Sequence, residues 1–321
     1  LEKTDYLICG MARRSSNINL ENCKDFVNNE RFQLVYGDLT DSFSIAKLVQ
    51  EIQPDYFINF AANSFVGCSW DMPEHVMDTN AVGTIRCLEA IRRYQPKCRF
   101  YSAGSSEEMG DVDYSPQDKA HPPKPRSPYG VSKVASRYLV KVYRESYGLF
   151  AIHGILYNHE GIRRGEEFVT RKITKGVARI SRAMDQGKEF DPIPLGNINS
   201  KRDWSDSEDF VDGVWKMLNQ ETPKEYILSS NETHTIKEFI EVAFNAAGIE
   251  GQWVGEDLEE KYVCSLDKDP LVVINEDFYR PCEVDILYGD SNPIREELGW
   301  KPEYSFKDLV ARMVENDIRS I

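Results

Sequence analysis

A tyrosine and a lysine lie four residues apart in the segment SPYGVSK, residues 127–133. Ser127 and Pro128 are typical of a helix start, where serine caps the helix and proline fits its first turn. On such a helix Tyr129 and Lys133 would share one face. An ammonium group beside a phenol favours the phenolate, lowers the pKa of Tyr129 and suits it to acid–base chemistry. Because this spacing is common by chance, the pair taken alone favours an ordinary exposed helix face.

A second polar group, SSEE at residues 105–108, follows an apolar run that ends at residue 104. A serine hydroxyl here could hydrogen-bond a reacting carbonyl, and a carboxylate of Glu107 or Glu108 could remove a proton from carbon. The alternative for the two serines is a turn or a helix cap, and for the two glutamates a solvated surface pair. The pattern alone leaves these alternatives open.

Apolar, β-rich runs alternate with helical patterns through the first half of the chain. This alternation predicts βαβ units and an α/β fold with a Rossmann-like, doubly wound parallel sheet. Ligands bind such sheets at the carboxyl ends of the strands, which is where SSEE lies. The predicted strands are residues 6–12, 32–38, 55–62, 98–104 and 150–158, and the predicted helices include residues 42–53, 74–94 and 129–147.

The pattern becomes less regular after residue 158. We predict a Rossmann-like dinucleotide-binding domain over residues 1–158 and a smaller α/β substrate-binding part over residues 159–321, with some later segments returning to the first domain. We interpret the acidic stretch 250–270 as solvated surface. The Gly-rich turn of dinucleotide-binding folds is absent, and we expect it, with the first strand, upstream of Leu1.

The composition excludes several classes of protein. With 41% hydrophobic and 29% charged residues, the 321-residue chain has a globular composition, and no apolar run approaches a membrane span. The formal net charge of -14 opposes non-specific nucleic-acid binding but leaves room for a local basic pocket. Seven cysteines without paired spacing predict reduced thiols, no metal site and a cytoplasmic location.

Arg13 and Arg14 follow the first apolar run. An NAD-binding protein usually offers an acidic residue to the adenosine ribose at this point. Guanidinium groups suit a 2′-phosphate instead, so the pair favours NADP over NAD. The alternative is an ordinary basic pair on the surface.

Ser105, Tyr129 and Lys133 resemble the Ser/Thr and Tyr-x-x-x-Lys constellation of extended short-chain dehydrogenases/reductases. Longer motifs are similar to those of the GDP-mannose 4,6-dehydratase family over essentially the whole chain. In order, they are GDLTDS, AANSFVGCSW, RSPYGVSK, GILYNHEGIRRGEEFVTRKI, KRDW and YRPCEVD. Six ordered motifs indicate this family much more strongly than Tyr-x-x-x-Lys does alone.

The resemblance implies a redox-neutral dehydration of GDP-mannose to GDP-4-keto-6-deoxymannose with a retained NADP. Tyr129 would take the proton of the C4 hydroxyl while hydride leaves C4, and Ser105 would hydrogen-bond the developing oxygen. Glu107 would remove the C5 proton and help expel the C6 hydroxyl as water, after which the hydride returns to C6. Lys133 would lower the pKa of Tyr129 and hold the nicotinamide ribose. At position 108 the family carries an apolar residue rather than glutamate.

The resemblance also implies binding residues. Cofactor contacts are implied for Arg13, Arg14, Asp38, Leu39, Phe60, Ala61, Ala62, Asn63, Ser64, His75, Tyr129, Lys133, His159 and Arg164. GDP-sugar contacts are implied for Ser64, Ser105, Glu107, Asn158, Val169, Lys172, Arg202, Arg280 and Glu283. Cations suit a diphosphate, and a carboxylate suits ribose hydroxyls. Without the resemblance, Arg202 and Arg280 would be interpreted as surface salt-bridge partners, and His75, where the family usually has tyrosine, as a polar helix residue.

Several substitutions near the expected sugar and cofactor site depart from the family. They are Asn63 for glutamine, Gly161 for serine, and Glu-Glu-Met at 107–109 for a glutamate, an apolar residue and an aromatic residue. They leave GDP-manno-heptose open as the substrate. Glu107 argues against a reductase or epimerase of the same superfamily, because simple reduction needs no base at C5. The complete set of four residues argues against a non-catalytic nucleotide-sugar-binding protein.

The segment RRSS, residues 13–16, lies at a tetramer contact in the family that the chain resembles. The resemblance therefore implies a homo-oligomer, either a dimer or a tetramer. The expected partners are a GDP-sugar substrate and further copies of the chain, with no nucleic acid and no membrane.

Overall fold

The structure is a computed structural model that describes residues 1–266, 268–279 and 284–321. The strands are β1 (Ile8–Ala12), β2 (Phe32–Tyr36), β3 (Tyr56–Asn59), β4 (Arg99–Ala103), β5 (Ala151–Leu156), β6 (Asn158–Glu160), β7 (Ile193–Leu195), β8 (Lys201–Arg202), β9 (Trp204–Asp206), β10 (Ile227–Leu228), β11 (His234–Thr235), β12 (Gly251–Val254), β13 (Lys261–Cys264), β14 (Pro270–Ile274) and β15 (Ile286–Leu287). The helices are α1 (Ser42–Ile52), α2 (Pro73–Met77), α3 (Gly83–Tyr94), α4 (Pro128–Tyr147), α5 (Val169–Asp185), α6 (Ser207–Leu218), α7 (Ile236–Ala246), α8 (Asn292–Leu298) and α9 (Phe306–Ser320).

The predicted parallel sheet is present in the first half of the chain. Four strands hydrogen-bond in the order β10-β5-β4-β3, and every neighbouring pair is parallel. Helices α2 and α3 connect β3 to β4, and α4 connects β4 to β5. β1 and β2 form a separate parallel pair, which no backbone ladder between described residues joins to the larger sheet. The fold is therefore α/β and Rossmann-like, as the alternation of strands and helices predicts.

Apolar helix faces cover this sheet. α1 presents Ile45 and Val49, and α3 presents Leu88 and Ile91, to a core that includes Phe100 of β4. All five residues are at most 1% exposed. The apolar positions of each helix recur three or four residues apart, so that one face is buried and the opposite face meets solvent.

Helix α4 begins and ends where its local sequence predicts. The Ser127 hydroxyl accepts a hydrogen bond from the Gly130 amide at 3.0 Å, and Pro128 occupies the first turn. Gly148 ends the helix in the left-handed conformation, with φ of 67°, which glycine adopts without a steric penalty. These local signals fix the helix register and therefore the direction of its polar face.

The second half of the chain builds another core. Helices α5, α7 and α9 pack around β7, β13 and β14. In contrast, β10 and α6 pack on the first sheet, where Phe210 and Leu228 contact a cluster that includes Tyr101 and Ile152. The larger sheet is thus completed by a strand from the second half of the chain.

Residues 250–270 match their interpretation as solvated surface only in part. Residues 254–259 are exposed, as predicted. The stretch also contains β12 and β13, which form an antiparallel ladder that continues to β14. Tyr262, Val263 and Cys264 of β13 are buried, because this strand lies between β12 and β14 and packs on the second core.

No helix in the described part of the chain combines the length and apolar character that crossing a bilayer requires. In the same part of the chain, no group of three or more histidine, cysteine, aspartate or glutamate residues is arranged to hold a metal ion. The six described cysteines are free thiols.

Candidate active site

The end of β4 leads into a short 3₁₀ helix, Ser106–Glu108, next to Ser105. The Ser105 hydroxyl caps this helix by accepting a hydrogen bond from the Glu107 amide at 3.2 Å. Glu107 and Glu108 are only 9% and 0% exposed. The alternative of a solvated glutamate pair is therefore wrong. The cap at Ser105 is present, and it holds the first turn that carries Glu107.

The first turns of α4 bury Tyr129 and Lys133. They are 7% and 6% exposed, and the Lys133 ammonium lies 5.7 Å from the centre of the Tyr129 ring. Lys133 Nζ donates a hydrogen bond to the carbonyl of Ala103, 2.8 Å away, at the end of β4. The alternative of an exposed helix face is wrong, because α4 turns this face toward the sheet.

Helix α4 approaches the 3₁₀ helix very closely at Gly130. A Cβ atom at this position would lie 2.6 Å from the Glu107 carbonyl oxygen, so any larger residue would push the two segments apart. This contact brings Ser105, Glu107 and Tyr129 to one place. We call residues 103–108 and 127–133 together the sheet wall.

Burial dominates the acid–base properties of Tyr129. It raises the pKa of the phenol above its ordinary value. The Ser105 hydroxyl lowers this pKa by hydrogen bonding to the phenol oxygen, and the charge of Arg164 lowers it further. The negative charges of Glu107 and Glu108 act in the opposite direction.

Lys133 is buried beside Tyr129. Burial lowers the pKa of its ammonium group to about 8, and the charge of Glu108 opposes that effect. Its hydrogen bond to the Ala103 carbonyl fixes the ammonium at the end of β4. The expectation that Lys133 lowers the pKa of Tyr129 stays a prediction.

A cleft of about 1030 Å³ lies at the carboxyl ends of β3, β4 and β5. The predicted site residues that line it are Phe60, Ala62, Ser64, Ser105, Glu107, Tyr129, Lys133, Asn158, His159, Arg164, Val169, Lys172 and Arg202. The predicted residues outside its lining are Arg13, Arg14, Asp38, Leu39, Ala61, Asn63 and His75. Arg280 and Glu283 lie outside the described residues.

Some of the predicted cofactor residues outside the lining are close to one another. The Asp38 carboxylate accepts hydrogen bonds from the amide and the hydroxyl of Thr40, at 2.9 and 2.8 Å. These bonds lower its pKa, with smaller contributions from the nearby charges of Arg13 and His75. Arg13, Arg14 and His75 are exposed at this place and therefore accessible to a ligand.

Asn80, which sequence reasoning missed, fixes the loop after β3. Its side chain accepts a hydrogen bond from the Asn63 amide at 2.8 Å and donates to the Asn63 carbonyl at 3.1 Å. It also donates to Ser132 of α4 at 2.9 Å. Asn80 lies in a π-helical segment, Asp78–Val82, and such segments often accompany functional sites. No local pattern singles out Asn80, because Asp78 and Thr79 beside it are polar as well.

His159 lines the cleft and is half-buried. Its ring stacks on Phe210 with the centroids 5.2 Å apart, and Nδ1 lies 2.9 Å from the Tyr157 carbonyl oxygen. Because a carbonyl oxygen can only accept, Nδ1 carries the proton and Nε2 is left as an acceptor. Burial lowers the pKa of His159 to about 4.

Three cations from the second half of the chain line the same cleft: Arg164, Lys172 and Arg202. We call these residues, with the rings that support them, the cation wall. The Arg164 guanidinium lies 3.4 Å from the centre of the Phe168 ring, and its Nε lies 2.9 Å from a carboxylate oxygen of Glu160. Stacking and pairing hold the side chain in one direction.

Lys172 and Arg202 are held differently from the residues of the sheet wall. Lys172 extends from α5 and places Nζ 3.4 Å from the centre of the Phe278 ring. Arg202 belongs to β8 and donates a hydrogen bond to the Lys201 carbonyl at 2.9 Å. The pairing of β6 with β9 brings Asn158 into the same region.

Sequence reasoning missed the aromatic residues of the cleft. They are Phe65, Trp70, Tyr157, Phe168, Trp204, Phe210, Phe278 and Tyr279. Several of them directly follow or precede a predicted binding residue, but an aromatic residue in such a position is more often part of a core. Their placement in the cleft depends on contacts between the two halves of the chain, which no local pattern encodes.

Comparisons with known proteins agree with this geometry. The profile of a family described as GDP-mannose 4,6 dehydratase matches residues 1–313. A GDP-mannose 4,6 dehydratase of Drosophila melanogaster is 40% identical, over 99% of this chain and 81% of the relative. Two solved structures, each 21% identical, share the fold. The first is RMD from Pseudomonas aeruginosa in complex with NADPH, with a TM-score of 0.75 and coverage of 94% of each chain. The second is DesIV, a dTDP-glucose 4,6-dehydratase of Streptomyces venezuelae with NAD and TYD bound, with a TM-score of 0.80 and coverage of 98% of this chain and 88% of that chain. The chain belongs to the GDP-mannose 4,6-dehydratase family.

Proposed function

We propose that this chain converts GDP-mannose to GDP-4-keto-6-deoxymannose with NADP as a retained cofactor. The observation that carries the proposal is the convergence of Ser105, Glu107, Tyr129 and Lys133 on one cleft. A hydroxyl, a phenol and an ammonium suffice for oxidation of an alcohol, whereas the added carboxylate of Glu107 supplies the base that elimination needs.

In this mechanism Tyr129 takes the proton of the C4 hydroxyl, and Ser105 hydrogen-bonds the oxygen as it becomes a carbonyl. The C4 ketone makes the C5 proton acidic. Glu107 removes that proton and returns a proton to the departing C6 hydroxyl, which leaves as water. The proton on Tyr129 then returns to C5. A bound nicotinamide supplies reversible hydride storage between C4 and C6, so the reaction has no net oxidation.

The residues present fit a nicotinamide dinucleotide. At the sheet wall, Tyr129 and Lys133 can donate to the hydroxyls of a ribose, and the neutral His159 offers an acceptor at Nε2. Arg13 and Arg14 would meet the adenosine end, and their guanidinium groups suit the 2′-phosphate of NADP. The solved structure of RMD, which shares the fold, holds NADPH.

The cation wall fits the diphosphate of a nucleotide sugar. Lys172 and Arg202 bring positive charge into a cleft of a chain whose formal net charge is -14, beside Arg164, which stays a predicted cofactor contact. Asn158 adds a buried side-chain oxygen, Oδ1, that has no hydrogen-bond partner among the described residues. Such an atom fits a hydroxyl donor on the substrate.

The proposal also includes a homo-oligomer, dimer or tetramer, and a cytoplasmic location. Light scattering of the purified protein at several concentrations would give the molar mass in solution. A monomer of 36.9 kDa at all concentrations would contradict the oligomer.

The direct test of activity is incubation of the protein with NADP and GDP-mannose without added reductant. Mass spectrometry should detect a product lighter by one water molecule, while absorbance detects no net accumulation of NADPH. Loss of water from GDP-manno-heptose alone would change the substrate assignment. Loss of water from neither sugar would contradict the proposed function.

A further inference from the structure

A buried carboxylate–imidazole pair lies directly behind the sheet wall. Glu108 and His153 are both 0% exposed, and His153 Nε2 lies 2.8 Å from Glu108 Oε1. The same carboxylate oxygen accepts a hydrogen bond from the Ser105 amide at 2.9 Å. One oxygen atom therefore connects the turn that carries Ser105 to β5, in the interior of the sheet.

The two hydrogen bonds to Glu108 Oε1 show which partner donates and which accepts. Glu108 Oε1 accepts from a backbone N–H, as expected of a carboxylate oxygen, and the second bond to it therefore comes from His153 Nε2–H. β5 hydrogen-bonds β4 on one side and β10 on the other, so His153 is anchored at a fixed point. Because Glu108 Oε1 bonds both His153 and the Ser105 amide, the anchored imidazole also holds Ser105 in place.

The absence of a side chain at Gly104 makes this pair possible. A Cβ atom there would lie 2.4 Å from His153 Nε2 and 2.6 Å from Glu108 Oε1. Real Cβ atoms do not approach other atoms so closely. Gly104 is therefore required by the pair, because Glu108 and His153 occupy the space that a side chain at position 104 would need.

The pair is poorly explained by stability alone. Glu108 Oε2, His153 Nδ1 and the Tyr101 hydroxyl are buried and have no hydrogen-bond partner within the described part of the chain. Unsatisfied buried polar atoms are rare and costly, and apolar residues of similar size would usually stabilise such a site more.

We propose that Glu108 and His153 are positioning residues for the proposed dehydration. Glu108 holds the Ser105 amide, and the Ser105 hydroxyl in turn holds the Glu107 amide and hydrogen-bonds Tyr129. The pair thereby fixes the distances among the three groups that handle protons. This inference rests on the proposed function for its kinetic consequences, but the tether to Ser105 can be tested without substrate.

The charge of Glu108 provides a separate readout. Tyr129 is surrounded by Ser105, Glu107 and Glu108 of the turn, by Lys133 of its own helix and by Arg164. Among these groups, the charges of Glu107 and Glu108 raise the pKa of the phenol. Its neutralisation should therefore move the rising limb of the pH–rate profile toward lower pH, an effect that a purely structural role would not produce.

The kinetic test compares Glu108→Leu and Glu108→Gln with the wild type. Glu108→Leu removes both hydrogen bonds, so we expect kcat to fall about 100-fold while KM changes less than about threefold. Glu108→Gln retains an acceptor oxygen, so we expect a loss of about tenfold and the shifted pH limb. Glu145→Gln, an exposed residue of α4, is the control and should match the wild type. Wild-type kcat and pH profile in both Glu108 variants would overturn the proposal.

The double variant Glu108→Leu/His153→Leu separates positioning from the burial of an unpaired imidazole. If Glu108 positions Ser105, the double variant should regain the Tm of the wild type while kcat stays low. If the loss in Glu108→Leu comes only from the unpaired His153, both Tm and kcat should recover, and the proposal fails.

Hydrogen exchange tests the tether independently of activity. In Glu108→Leu the Ser105 amide should exchange about tenfold faster, while the Gly104 amide, which bonds the Gly154 carbonyl, should be unchanged. Unchanged protection of Ser105 would overturn the proposal even if catalysis is impaired. Faster exchange in a protein that dehydrates no GDP-sugar would support the tether while contradicting the proposed function. If Glu108→Leu does not fold, Glu108→Gln supplies the same comparison through its pH profile.

Discussion

The sheet wall and the cation wall face the same cleft but are built by different means. In the sheet wall, Tyr129 and Lys133 are at least nine-tenths buried, and hydrogen bonds from strand ends and helix caps fix their neighbours. In the cation wall, Lys172 and Arg164 rest on aromatic rings and keep part of their surface open to the cleft. Their supports come from several separate segments of the second half of the chain.

This difference matches two different physical demands. Proton transfer requires groups placed to within a fraction of an ångström, which backbone hydrogen bonds and close packing can provide. Attraction of a diphosphate acts over a longer range and tolerates small displacements of a cation. Changes in the sheet wall should therefore reduce kcat, whereas changes in the cation wall should mainly raise KM.

The largest effect should come from Glu107→Gln. The amide cannot accept the C5 proton, so we expect kcat for loss of water to fall about 10³-fold or more, with binding of GDP-mannose largely retained. Mass spectrometry measures the product, and calorimetric titration measures binding. Glu166→Gln at the cleft edge, whose carboxylate pairs with Lys175, is the control. Unchanged turnover in Glu107→Gln would remove this residue from the mechanism.

Adding one methyl group to a glycine should destabilise the sheet wall more than the cation wall. Gly104→Ala forces a Cβ against His153, Glu108 and the Gly154 carbonyl, and we expect the free energy of unfolding to fall by about 1 to 3 kcal/mol, with a lower kcat. Gly161 follows Glu160, which pairs with Arg164 of the cation wall. Gly161→Ala would bring its Cβ within 2.9 Å of the Ser207 hydroxyl alone, which can rotate away.

Denaturant titration of both alanine variants measures their stability. We expect Gly161→Ala to remain within about 0.5 kcal/mol of the wild type. Equal losses in the two variants would contradict the view that the sheet wall is the more tightly packed side of the cleft.

Lys172→Met should act on binding rather than on chemistry. Loss of its charge removes an attraction that substrate and transition state share, so KM for the GDP-sugar should rise about tenfold while kcat stays within about twofold. Lys133→Met provides the contrast in the sheet wall, where we expect the main loss in kcat. Steady-state kinetics of both variants decides the matter, and a lower kcat with unchanged KM in Lys172→Met would reverse the assignment.

The smallest effect concerns the stability of the protein at acidic pH. Histidine in an unfolded chain has a pKa of about 6.5, and burial lowers the pKa of His159 to about 4. Between these values the unfolded state binds more protons, so the free energy of unfolding should decrease as pH falls from about 6.5 to about 4. His159→Gln should show a flatter dependence of Tm on pH. An identical dependence in both proteins would place the acid sensitivity elsewhere.

Much of the fold followed from local patterns. The alternation of apolar runs and helical segments predicted the parallel sheet, and the predicted helix at 129–147 corresponds to α4 at Pro128–Tyr147. Ser127 caps that helix as predicted. Such features depend on residues within a few positions of one another, so the sequence encodes them directly. The roles given to the site residues came from the family resemblance and stay predictions.

Interactions between distant segments could not be predicted in this way. Glu108 and His153 are 45 residues apart in the sequence, and Lys172 and Phe278 come from elements that share no local pattern. The sequence by itself determined the strands and helices of the first half of the chain, the cap of α4 and the family. Only the tertiary structure decided that both glutamates are buried, that Lys133 bonds the Ala103 carbonyl, and that aromatic rings support the cations, because burial depends on which distant surfaces meet.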